Sequence, residues 1–169
     1  MEGIIRTMII CLALAAAVLL SVWGIGKYRE NKRISSYVPY DGIIKSCSFS
    51  SGGGMDGGSL YITAENAGNC ILVTVEERTG PNGRTKKRTL KADPQLFRDL
   101  EAMVLESGMK DWSELEPSEF VALDAPVKKV SIGFTDGSGI RFDSTDELPE
   151  SGRGLIAKIR DLMEKYLQD

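Results

Sequence analysis

The chain has 169 residues, 27% of them charged, with a formal net charge of −3 and no histidine. That balance offers no basic surface to nucleic acid. The missing histidine removes a Ser-His-Asp triad, a Cys-His pair and every histidine-ligated metal site, and three cysteines without a CxxC spacing (Cys11, Cys47, Cys70) leave neither a four-thiolate zinc site nor a redox motif.

Met8 to Ile25, MIICLALAAAVLLSVWGI, runs without a charge. As a helix it spans about 27 Å, close to the hydrocarbon thickness of a bilayer. Trp23 and Tyr28 fall at its C-terminal end, where aromatic rings prefer the interface, and Lys27, Arg29, Lys32 and Arg33 follow. The expected organisation is a single-pass transmembrane anchor at residues 1–26, a polar tether at 27–42 and one domain at 43–169. A cleaved signal peptide is the main rival, but no A-x-A site follows the run. A lipoprotein signal fails because Ile10 precedes Cys11. The flanking cations favour a cytoplasmic C-terminal side. Against them, long domains translocate largely regardless of charge, and an N-terminal anchor usually carries its domain outward. The expected location is the cell membrane, with the body on the extracytoplasmic side.

The next elements alternate. Ile43 to Ser50 reads as a strand with Cys47 and Phe49 on one side and Ile44, Ser46 and Ser48 on the other. Leu60–Ala64 is a second strand. Cys70–Glu77 is a third, with Ile71, Val73 and Val75 sharing a face. Thr85–Lys91 is a polar fourth, whose lysines suit an edge. Asn66–Asn69 and Thr79–Gly83 supply the turns between them. Asp93-Pro94 starts a helix that Gly108 ends, with Leu96, Phe97, Leu100, Met103 and Val104 on one stripe. A polar connection carries Trp112 as a plug for the core, and Phe120–Leu123 is a short extended piece. Val127–Thr135 and Ile140–Ser144 form a hairpin about Asp136-Gly137-Ser138-Gly139. Ser151 caps a last helix carrying Leu155, Ile156, Ile159, Leu162, Met163 and Tyr166. The fold class is therefore α+β: after the transmembrane helix, a mostly antiparallel sheet of two hairpin units with two helices on one face.

Ser51, Gly52, Gly53, Gly54, Met55, Asp56, Gly57 and Gly58 form the candidate binding loop. A glycine-rich loop can cradle an anion. This one lacks GxxxxGK[ST] and an internal lysine, and a strand rather than a helix is expected after it. A flexible hairpin connection is favoured, with protein binding through Met55 the next reading. Cys47 and Cys70 lie on neighbouring predicted strands and are a possible disulfide; two buried free thiols are the alternative. Asp56, Asp124, Asp136, Asp143 and Asp146 are candidate oxygen ligands, but no Ca²⁺-loop spacing joins them. No metal or other cofactor is expected.

FSSGGGMDGG at 49–58, LFRDLEAMV at 96–104, Trp112, Leu123-Asp124, VSIGFTDGSGIRFDS at 130–144 and Leu148-Pro149 together resemble a group of small uncharacterised bacterial α+β domains. Those domains occur alone or behind a lipoprotein signal or membrane anchor. The resemblance covers residues 44 to 167, supports the fold and supplies no catalytic residues. The functional expectation is a membrane-anchored, non-enzymatic module that binds a protein or cell-surface partner, with the helix-free sheet face as its contact surface. The alternative is a carboxylate- or metal-dependent hydrolase at the cell surface.

Overall fold

Alternating apolar residues become six strands: β1 (Ile44–Gly52), β2 (Ser59–Asn66), β3 (Ile71–Arg78), β4 (Thr85–Ala92), β5 (Val127–Phe134) and β6 (Gly139–Asp143). In the computed structural model, residues 2–52, 57–112 and 126–167 are described, except for the side chains of 2–14, 17 and 111. The chain divides into two units, Met1–Tyr37 and Val38–Asp169.

The first unit is one helix, α1 (Glu2–Ser35). It continues through Lys27–Ser35, so much of the stretch read as a tether is helical. Side-chain hydroxyls close its end, Ser35 Oγ donating to Lys32 O at 2.8 Å and Ser36 Oγ to Arg33 O at 2.6 Å. Val18, Leu19, Leu20, Val22, Trp23 and Ile25 are all exposed. Among the described residues no helix is long and apolar enough to cross a membrane. The apolar run Met8–Ile25 lies partly outside them, since the side chains up to residue 14 and that of Ala17 are not described.

In the second unit the strands make one antiparallel sheet in the order β4-β3-β2-β1-β5-β6. The first four form a meander, and the β5–β6 hairpin joins through β5 to β1. Phe49 therefore stands between Ile62 and Val130, and Cys47 between Ala64 and Ile132. These residues are buried, as are Ile71, Val73, Val75, Phe134 and Phe142. The side assigned to Ile44 needs correction. The β1–β5 register shifts between Ile44 and Ser46, a bulge that turns Ile44 into the core with Cys47 and Phe49.

Two helices cover this apolar face. α2 (Gln95–Ser107) buries Leu96, Phe97, Leu100 and Val104. The Asp93 carboxylate accepts the Gln95 N–H at 2.8 Å, and Gly108 closes the helix at φ 64°. α3 (Leu155–Lys165) buries Leu155, Ile156, Ile159, Leu162 and Met163. Ser151 does not cap it. Gly154, at φ 71°, precedes the helix, while Ser151 Oγ donates to Ser107 O at 3.0 Å and ties the chain to the end of α2. Gly152 is buried against Trp112, where an added Cβ would lie 2.5 Å from the indole. Trp112 in turn meets Phe142 edge-on at 5.7 Å. It closes one end of the core, as the sequence suggested. Residues 113–125, with the expected extended piece at 120–123, lie outside the described residues.

Tyr40 fixes the start of this unit. Its hydroxyl donates to Glu101 Oε2 at 2.7 Å and accepts the Ile44 N–H at 2.8 Å, and its ring meets Phe97 edge-on at 5.5 Å. Arg98 Nη2 donates to Val38 O and Pro39 O at 2.7 and 3.0 Å. The chain before β1 is thus pinned to α2. Tyr40→Phe strands the buried Ile44 N–H and should cost about 1–3 kcal/mol. The expected result is a lower urea midpoint with an unchanged slope. Burial, aided by the Glu101 carboxylate, raises the Tyr40 hydroxyl above its ordinary pKa. Its neutral form is the one the fold favours, so the contribution is complete below about pH 10 and fades above it. The gap between wild type and Tyr40→Phe should accordingly narrow in alkali.

Candidate functional site

Ser51 and Gly52 extend β1, with Ser51 opposite Leu60 and Lys128 and Gly52 opposite Ser59 and Val127. Gly53, Gly54, Met55 and Asp56 lie outside the described residues. Gly57, at φ 63°, packs on Pro81, and its carbonyl accepts Arg78 Nη2 at 3.3 Å. Gly58 leads directly into β2, so the loop joins two strands of a hairpin and has no following helix to favour an anion. Ser51 and Gly58 also border a 390 Å³ cleft between the sheet end and α3, where Arg78, Lys128 and Arg160 are interleaved with Glu77 and Glu164. Asp161 already accepts from Arg160 at 2.5 Å and raises its pKa, and Glu164 forms a looser ion pair with it at 3.9 Å.

Cys47 and Cys70 are both free and buried. The pairing explains why no bridge forms. β2 lies between β1 and β3, so two strand spacings, about 9.6 Å, separate the lines of the two cysteines. A disulfide needs Cα atoms within about 7 Å. Cys47 Sγ instead lies 4.0 Å from Met163 Sδ, and burial pushes its thiol up to about 12.

The acidic candidates divide in the same way. Asp136 Oδ1 accepts the Ser138 N–H at 2.9 Å and its hydroxyl at 2.5 Å, contacts that hold its carboxyl down at about 2, with Lys110 assisting from 3.3 Å. Asp143 accepts the Thr145 N–H at 2.8 Å, and Asp146 accepts the Asp143 N–H at 2.6 Å. All three serve turns. Asp56 and Asp124 are outside the described residues. Among the described residues no three thiol or acidic side chains are grouped to hold a metal.

The face of the sheet away from the helices is built differently. Thr89, Thr74, Thr63, Ser48, Ser131 and Arg141 stand side by side from β4 to β6. The adjacent row is Lys87, Glu76, Tyr61, Ser50, Lys129 and Asp143. Short hydroxyl side chains floor the centre, and Tyr61 rises from them 44% exposed. A 260 Å³ groove lies among Ser48, Ser50, Tyr61, Lys129, Ser131 and Arg141. A 170 Å³ one continues past Tyr61 to Ser46, Thr63 and Glu65. Gly133 keeps that floor low: a Cβ there would lie 2.7 Å from Ser46 Oγ. Lys87 is paired with Glu76 at 2.6 Å and Lys129 with Asp143 at 3.8 Å. Arg141, and the hydroxyls of Ser48, Ser50 and Ser131, have no protein partner among the described residues.

This patch offers donors and acceptors, an aromatic face and one uncommitted guanidinium. The alternation of Ser46, Ser48 and Ser50 signals an outward face in the sequence. It does not reveal that β1 is central, so Tyr61, Ser131 and Arg141 could not be gathered around it. No protein-family model matches the chain, and no curated protein matches it.

One measurement bears on the thiols. Alkylation in denaturant without reductant should label both Cys47 and Cys70, and in the folded protein Cys47 should stay unlabelled because almost no thiolate forms. A linked Cys47–Cys70 peptide pair would contradict the arrangement.

Proposed function

We propose that this chain is a membrane-tethered, non-enzymatic binding module. Met8–Ile25 holds it in the membrane, the body stands on the extracytoplasmic side, and the helix-free sheet face receives a protein or cell-surface polymer. The carrying observation is the pair of neighbouring grooves that share Tyr61, Ser48 and Ser131, floored by serine hydroxyls without a protein partner among the described residues. Hydroxyls on a rigid sheet are preorganised for a ligand, which lowers the ordering cost of binding. The uncharged run and its flanking aromatic and basic residues support the tether. So does the row of exposed apolar side chains from Val18 to Ile25.

Two experiments test this. The full-length chain should sediment with membranes, resist alkaline carbonate, and be digested by protease added outside intact spheroplasts. Recovery of unprocessed chain in the soluble fraction removes the tether. Separately, detergent-solubilised full-length protein should be retained on delipidated cell envelopes. Ser131→Trp, which fills the groove from the polar side of β5, should weaken retention about tenfold or more. Retention equal to wild type overturns the role of this face.

A further inference from the structure

We propose that the groove beside Tyr61 is a subsite for a carboxylate-bearing polysaccharide, an inference that rests on the contact-surface reading above. Three observations define the occupant. First, Arg141 presents a planar fork of donors with no protein partner among the described residues, directly beside the Ser131 hydroxyl. That fork matches the two oxygens of a carboxylate. Lys129, diagonal to it in the neighbouring row, is held by Asp143 only at 3.8 Å and adds positive charge to the same groove. Second, Ser48, Ser50 and Ser131 carry hydroxyls that both donate and accept, the pairing that sugar hydroxyls require. Third, Tyr61 supplies an exposed ring against which the C–H face of a pyranose can lie.

An extended peptide fits less well. Peptides that add to sheets bind through main-chain groups at an edge. Here β1 is paired on both sides, as are β2 and β5, so the floor has no backbone groups to offer. A polyphosphate fits less well too, because closely spaced phosphates need a run of cations, and Glu76, Glu65 and Asp143 share this face. From Tyr61 on β2 to Arg141 on β6 is three strand spacings, about 14 Å. A glycan lying across the strands would thus stack on Tyr61 and reach Arg141 with a carboxylate further along.

The test uses detergent-solubilised full-length protein and four soluble probes: polygalacturonate, dextran, polyglutamate and polyphosphate. Polygalacturonate should bind about tenfold or more tightly than each of the others. Arg141→Gln and Tyr61→Ala should each weaken that binding about tenfold, while Lys158→Gln, an equal charge change at an exposed position of α3, leaves it intact. Arg141→Gln should keep the wild-type urea midpoint, so weakened binding cannot be attributed to unfolding. No binding of polygalacturonate, equal binding of any other probe, or matching effects of Arg141→Gln and Lys158→Gln overturns the assignment. If Ser131→Trp abolishes envelope retention while polygalacturonate fails to bind, the contact surface stands and the glycan assignment falls.

Discussion

Everything in the second unit is arranged around β1 being hydrogen-bonded along both edges. One neighbour, β2, is the next strand in the chain. The other, β5, arrives only after β3, β4 and α2 have been laid down. Closing so long a connection costs chain entropy, and the return is the burial of Phe49 and Cys47 between Ile62 and Val130 and between Ala64 and Ile132. Without that second edge the meander and the β5–β6 hairpin would be separate small sheets, neither with enough apolar surface to hold two helices. Register follows from the same constraint. A slip of one residue would send Phe49 to water and Ser48 or Ser50 to the core. The bulge near Ile44 uses such a slip once, at the strand's start, and gains another buried side chain.

The period of two that fills the core also makes the opposite surface. Cys47, Phe49, Val130 and Ile132 are each flanked by serine, lysine or glycine pointing the other way. Core and groove are therefore two readings of one pattern, and the stiffness of the first is passed to the second. The polar interior is equally economical. Among the described residues Ser107 is the one buried polar residue, and its hydroxyl bonds back to Met103 O at 2.7 Å. Tyr40 and Glu101 place their hydrogen bonds where the chain enters the sheet, rather than within it.

Most of the fold was legible because its signals are local. The alternation of Ile71, Val73 and Val75, the stripe from Leu96 to Val104 and the turn at Asp136-Gly137 each appear where the sequence places them. What was not legible is non-local. Ile44 changes sides because of a register with β5 that no neighbouring residue encodes. Ser151 resembles a cap, yet its hydroxyl is engaged by Ser107 on another helix, and Gly152 must pass beneath Trp112. Cys47 and Cys70 looked adjacent only while the order of strands was unknown. The glycine loop drew attention because its composition is unusual. The groove was overlooked because serine on a strand is ordinary until four strands are set side by side.

The rims of the sheet have their own consequence. At one border β4 exposes Lys86, Lys87, Arg88 and Lys91, and at the other β6 is only five residues long. If two copies met border to border through β4, ammonium and guanidinium groups would be forced together across the new ladder. Such a meeting is self-limiting. Molecules held at high density can therefore stay separate while their serine-lined faces remain open, a safeguard against fibrillar stacking that costs the groove nothing.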